Sequence, residues 1–218
     1  LRGLGDELPW YDRSIELMLL THPQADHALG LIDVLARYDV RRVLAGPGVQ
    51  SSTAFRTWRD AVRAEGRTVE TAAQGVALDL GDGVRLDVLG PDAAEAADPR
   101  INNTGAVVRI RWHDVSFLLT ADIEAKAERA LLRDGVDVHA TVLKVGHHGS
   151  KTSSSREFLD AVQPSVSVVS SGKDNPFGHP AHEVVSRLDD YGPVYNTADV
   201  GPVRFETDGH RWSVSTGR

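Results

Sequence analysis

The chain has 218 residues, 41% of them hydrophobic and 25% charged, with a formal net charge of −7. That composition supports a packed globular core, includes no apolar run of membrane-spanning length, and lacks the basic surplus of a long non-specific grip on nucleic acid. Cysteine is absent, so disulfides and thiolate metal ligation are excluded, and histidine, carboxylate and amide oxygen remain as metal donors. The first residue is Leu1 rather than Met, as in a fragment or a processed form.

In chain order, Ile15–Leu20 reads as a buried strand, and Thr21-His22-Pro23-Gln24-Ala25-Asp26-His27 follows it. Ala28–Tyr38 carries Leu29, Ile32, Leu35 and Ala36 at helical spacing. Arg42–Leu44 is a short strand, and Ser52–Glu65 a second helix with Ser51 or Ser52 as its N-cap. Val76–Leu80, Val84–Leu89 and Ala106–Trp112 alternate with a period near two, and Gly81-Asp82-Gly83 marks a tight hairpin between the first pair. Asp92–Pro99 reads as a polar loop. Val115–Leu119 is a strand that runs into Thr120-Ala121-Asp122, with a helix over Glu124–Leu132. Strand Ala140–Val145 ends in Gly146-His147-His148-Gly149-Ser150. Helix Ser155–Val162, strand Val166–Ser170, helix Pro180–Asp190 and the short strands Val194–Tyr195, Val203–Thr207 and Trp212–Ser215 complete the chain. No repeat or low-complexity linker divides it, so residues 1–218 are expected to form a single domain. Strands alternating with helices predict an α/β or layered α+β class.

The chemistry-bearing residues collect just past predicted strands: His22 and His27, Asp122, His147 and His148, and His179. Strand ends bring distant positions together, which is how sites in sheet proteins are built. Each group also has a plain structural reading. Asp122 suits the N-cap of the helix that starts at Glu124, and His147-His148 suits a glycine-flanked turn. Taken together, without cysteine, they point to a hard or borderline metal centre. No Gly-x-Ser-x-Gly elbow surrounds Ser150–Ser155, which argues against a serine nucleophile.

Thr21-His22-Pro23-Gln24-Ala25-Asp26-His27 resembles the His-x-[His/Asp]-x-Asp-His signature of the metallo-β-lactamase fold, and Phe117–Asp122 resembles that family's strand leading to a metal-bridging Asp. Leu143–Ser150, Asn175-Pro176-Phe177-Gly178-His179-Pro180 and Asn102-Asn103-Thr104 resemble the C-terminal domain of the ComEC DNA-uptake competence proteins. The resemblance covers nearly the whole chain in order. It implies an αββα metallo-β-lactamase-like sandwich, here expected to lack its N-terminal strands, with an exposed sheet edge through which a homodimer would form.

Carried over by residue, the resemblance implies metal ligation by His22, Asp26, His27, Asp122 and His147 or His148, with zinc or manganese as one or two divalent ions. It implies Asp26, His148 and His179 as catalytic groups, and Asn102, Ser150 and Thr152 as substrate contacts. Gln24 stands where the family carries His or Asp and, with Asn102, is a poor replacement at the first metal position. The site is therefore expected to bind one metal better than two, or to bind metal weakly. The implied activity is a nuclease or other phosphodiesterase that degrades the non-imported strand during competence. The alternative is a metal-poor, non-catalytic assembly or weak DNA-binding module. The implied partners are single-stranded DNA and a membrane channel domain. The implied location is the extracytoplasmic side of the cytoplasmic membrane, reached through domains outside this chain, the chain itself being soluble.

Overall fold

A computed structural model describes residues 2–48 and 52–217. They divide into two compact units, one built from Leu1–Ala73 with Pro91–Ala106, the other from Gln74–Gly90 with Val107–Arg218.

The first unit runs α1 (Arg2–Glu7), β1 (Ser14–Leu20), α2 (Ala25–Leu35), β2 (Asp39–Ala45), α3 (Thr53–Ala64) and β3 (Val69–Thr71). The strands form a parallel sheet in the order β1-β2-β3, with Leu20 beside Ala45. Its core joins Met18, Leu20, Val40 and Val43 of the sheet to Ala28 and Leu35 of α2 and Trp58 and Val62 of α3. Ser52 caps α3, its hydroxyl accepting from the Phe55 amide at 3.2 Å; the other cap candidate, Ser51, lies outside the described residues. The helix expected to begin at Ala28 begins at Ala25. Asp26 and His27 therefore stand on its first turn, where the helix dipole favours a carboxylate. Short 3₁₀ turns over Glu95–Ala97 and Ile101–Thr104 interrupt the segment that returns to this unit.

The second unit holds β4 (Ala77–Gly81), β5 (Val84–Gly90), β6 (Val107–Trp112), β7 (Val115–Leu119), α4 (Ala125–Arg133), β8 (Val142–Lys144), α5 (Arg156–Val162), β9 (Val166–Val169), α6 (His182–Asp189), β10 (Val194–Asn196), α7 (Thr197–Val200), β11 (Val203–Thr207) and β12 (Trp212–Thr216). β4 to β10 make a seven-stranded sheet in reverse sequence order. β4 to β7 form an antiparallel meander, and β7 to β10 run parallel, joined by helical crossovers. The β4–β5 turn carries positive φ at Asp82 (49°) and Gly83 (79°), the conformation a two-residue hairpin loop requires. Leu118, Leu143 and Val169 of the sheet pack with Leu131, Phe158, Leu159, Val184 and Leu188 of the helices. The layered α/β class expected from the sequence is the class the chain adopts.

Candidate metal centre

In both units the candidate residues follow the carboxyl ends of parallel strands, where open α/β sheets place their ligands. In the first unit β1 gives out at Leu20, whose carbonyl accepts from the Gly46 amide at 2.9 Å, while the Thr21 carbonyl accepts from the Ala106 amide at 2.9 Å. A Cβ at Gly46 would sit 2.1 Å from the Thr21 oxygen, so this approach demands glycine. The chain then turns, the Gln24 amide donating to the His22 carbonyl at 3.0 Å, and enters α2.

Gln24 occupies the N-cap position of α2, but its side chain does not cap the helix. Its Nε2 donates to Asn102 Oδ1 at 2.7 Å, so its Oε1 faces His22 Nε2 at 3.1 Å and accepts from it. His22 Nδ1 is then left to accept from the Thr21 hydroxyl, 3.1 Å away. The network Thr21–His22–Gln24–Asn102 thus assigns His22 the Nε2–H tautomer. His22 is fully buried. Its ring lies 4.1 Å from that of His27, and Asp26 Oδ2 is 3.5 Å from His27 Nε2.

In the second unit β7 ends at Leu119, and Ala121 takes a positive φ of 47°. The Asp122 side chain is buried. Asp122 is not a helix cap: α4 starts at Ala125 with Glu124 in the N-cap position. Asp122 instead meets two groups from the end of β8. Lys144 Nζ stands 3.8 Å from its Oδ1, and His148 Nε2 stands 3.2 Å from its Oδ2. His148 Nδ1 lies 2.7 Å from the Ser170 carbonyl. A carbonyl only accepts, so Nδ1 carries its proton, and in the neutral ring Nε2 presents a lone pair toward the carboxylate. Two electron-rich atoms at that separation are reconciled by a proton or a cation between them. A backbone carbonyl that fixes the distal ring nitrogen is also the usual support of a metal-ligating histidine.

His147 and His148 both take left-handed backbone conformations, φ 47° and 54°, and their side chains diverge. His147 Nδ1 lies 3.3 Å from Thr152 Oγ1 and 3.8 Å from Glu124 Oε1. Thr152 Oγ1 also donates to Glu124 Oε1 at 3.3 Å and contacts Ser150 Oγ at 3.1 Å, so the two hydroxyls named from the sequence stand together beside His147 and a carboxylate. The His179 ring sits 5.7 Å from that of His147. Burial, then the neighbouring His147 and His148, hold the His179 imidazole below the usual histidine range, against a smaller opposing pull from Asp122. The Ala181 amide, just past His179-Pro180, donates to the Gly149 carbonyl at 2.9 Å. A Cβ at Gly149, φ +79°, would come within 2.6 Å of Pro180 Cβ.

Sequence reasoning missed Glu128. This buried carboxylate on α4 accepts the Ser154 and Ser155 amides at the start of α5, and so pins the segment that follows Ser150 and Thr152. Nothing marks it in the sequence, because an acidic residue inside a helix ordinarily faces water. Burial pushes its carboxyl up, opposed by those hydrogen bonds and by Arg187.

The donors in both units, imidazole and carboxylate without thiolate, suit a divalent ion of borderline or hard character. A family model described as the metallo-beta-lactamase superfamily matches residues 12–173. The chain belongs to the metallo-β-lactamase superfamily. Membership implies divalent-metal binding. Among curated proteins the chain is similar to "ComE operon protein 3" of Bacillus subtilis, 31% identical over 195 residues that cover 88% of this chain and 25% of that protein. It is also similar to "Competence protein ComA" of Neisseria gonorrhoeae, 38% identical over 112 residues, 51% of this chain and 16% of that protein. The chain therefore spans a quarter or less of the length of these relatives. Among solved structures it is similar to the metallo-β-lactamase fold protein YhfI from Bacillus subtilis, with a TM-score of 0.54 and 10% identity over 88% of this chain and 78% of that one. That likeness establishes the fold.

Proposed function

We propose that residues 1–218 act as one metal-dependent phosphodiesterase domain, a nuclease of a competence-type DNA-uptake protein. The observation that carries this reading is His148, locked by the Ser170 carbonyl with Nε2 turned to Asp122. The resemblance in sequence supports Asp26, His27, Asp122 and His148 as the donors we assign to the ion, zinc or manganese. When bound, the ion would activate water and offset charge on a phosphoryl group. The protein's own groups do the rest. Ser150 and Thr152 are the hydroxyls we assign to phosphate contact, Thr152 exchanging its hydrogen bond to Glu124 Oε1 for one to a phosphate oxygen. The Lys144 ammonium, beside Asp122, supplies fixed positive charge that no second ion need provide. His179, kept neutral, lines the substrate side and donates a ring N–H toward the leaving oxygen. His147 orients Thr152 rather than joining the metal set.

The similarity to competence proteins supports DNA as a partner; within that reading we propose single-stranded DNA as substrate, a membrane channel domain of a longer protein as partner, and the extracytoplasmic side of the cytoplasmic membrane as location. Among the described residues no helix is long and apolar enough to cross a membrane. A homodimer would pair through the β1 or β3 edge of the first sheet. A non-catalytic, metal-poor module is the second reading, and the His22–Gln24 hydrogen bond favours it.

Incubating the purified chain with manganese and labelled single-stranded DNA tests the proposal. Cleavage that His27→Ala removes supports it. Cleavage that survives His27→Ala assigns the activity elsewhere, and no cleavage with any divalent ion favours the second reading.

A further inference from the structure

Trp58 and Phe158 are buried to 2% or less, whereas Phe177 is 77% exposed, as are Trp10 and Tyr11 at 89% and 72%; of these three exposed rings Phe177 is the one stacked on a site histidine. An unburied phenyl forgoes the hydrophobic stabilisation that burial would give it. One face is already committed. It stacks on the His179 ring, centroids 5.9 Å apart and planes at 22°. His179 in turn meets His147 at 5.7 Å, edge to face at 65°. The rings therefore form a short series from solvent to the imidazole that holds Thr152.

The turn that presents Phe177 is fixed. Asn175 Nδ2 donates to the Gly172 and His179 carbonyls at 2.9 and 2.6 Å, and its Oδ1 accepts the His179 amide at 3.0 Å. Gly178 closes the turn at a φ of +68°. A platform already held in place loses little conformational entropy when a ligand settles on it. The open face of the phenyl is flat and apolar, and it continues a ring series that leads to two phosphate-suited hydroxyls. The chemistry that fits both features is a strand of several nucleotides, one base on the phenyl and the phosphate of another nucleotide at the hydroxyls.

We propose that Phe177 is a base-stacking platform that seats one nucleobase of a single-stranded nucleic acid while the phosphate of another nucleotide is held at Ser150 and Thr152. The inference rests on the phosphodiesterase reading for its phosphate position and adds the requirement for a base. Stacking is sequence-tolerant because every base has a π-face.

The test uses the whole chain, with no metal added, and oligothymidylate carrying 2-aminopurine at successive positions. The expected result is quenched fluorescence at one position with the unaltered protein. Phe177→Ala should abolish that quench and weaken binding about tenfold, and Phe177→Trp should restore both. An abasic strand with the same number of phosphates should bind the unaltered protein and Phe177→Ala equally. Equal binding of the base-bearing strand by both proteins overturns the inference, as does equal weakening of the abasic strand or a loss that tracks only a change from dimer to monomer. A Phe177-dependent quench in a chain that shows no DNA cleavage when manganese is then added sinks the phosphodiesterase reading and leaves the platform standing. Cleavage indifferent to Phe177→Ala does the reverse.

Discussion

His22 Nε2 lies 3.1 Å from Gln24 Oε1, and the same amide donates onward to Asn102 at 2.7 Å. The buried imidazole thus spends its Nε2 proton on an amide that stands where the family carries a metal-binding His or Asp. His148 has the opposite tautomer, its Nδ1 proton given to Ser170 and its Nε2 turned to Asp122. Two histidines of one motif set are therefore prepared for different work. The chain should bind about one zinc or manganese equivalent, and Gln24→His should add about one more. Isothermal titration with manganese checks this; a second equivalent in the unaltered chain would contradict it.

His147 and His148 are adjacent in sequence, and their substitutions should separate cleanly. His148→Ala should weaken metal binding by more than about 100-fold, because it removes a ligand rather than a supporting group. His147→Ala should leave metal affinity within about threefold, yet raise KM for DNA by loosening Thr152. Paired metal titrations and steady-state kinetics distinguish the two, and equal metal loss in both variants would refute the assignment.

Glu128 ties α4 to the two residues just before α5 through their backbone amides. Glu128→Ala leaves those amides without their acceptor in a buried setting and should cost about 2–4 kcal/mol in urea unfolding. The sign with pH follows from its raised carboxyl. Between the ordinary glutamate value and the raised one, the folded chain holds more protons than the unfolded chain. Stability from this group is therefore full at low pH and is lost as pH climbs through the raised value. Glu128→Gln should flatten that slope in unfolding curves taken from pH 4 to pH 7; an unchanged slope would place the titration elsewhere.

Gly149→Ala should destabilise the chain by about 1–3 kcal/mol, since it adds a side chain in the left-handed region and drives a Cβ into Pro180. The displaced turn carries His179, so cleavage should fall further than stability predicts. A variant that keeps full activity and full melting temperature would remove Gly149 from the account.

The strands bearing the site were legible because they are short apolar runs cut off by polar, histidine-rich turns, as Met18-Leu19-Leu20 before Thr21-His22 shows. The hairpin at Asp82-Gly83 was legible from its dipeptide alone. β3 escaped notice because Val69, Glu70 and Thr71 are all exposed, which leaves no alternation to read. α2 starts three residues before the expected Ala28, because Asp26 and His27 read as loop residues when judged by polarity, though the first turn of a helix welcomes an acid. Asp122 looked like an N-cap until the fold gave that position to Glu124. The tautomers of His22 and His148 were beyond sequence altogether, being set by Asn102 and Ser170, each distant in the chain.

The central claim is that His148 and Asp122 hold the divalent ion on which phosphodiester cleavage depends. The most direct measurement is manganese-dependent cleavage of labelled single-stranded DNA by the whole chain, set beside Asp122→Asn and His148→Ala at equal fold stability. The account predicts cleavage that rises with manganese in the unaltered chain and falls at least about a hundredfold in both variants. Cleavage by either variant at the unaltered rate would contradict it.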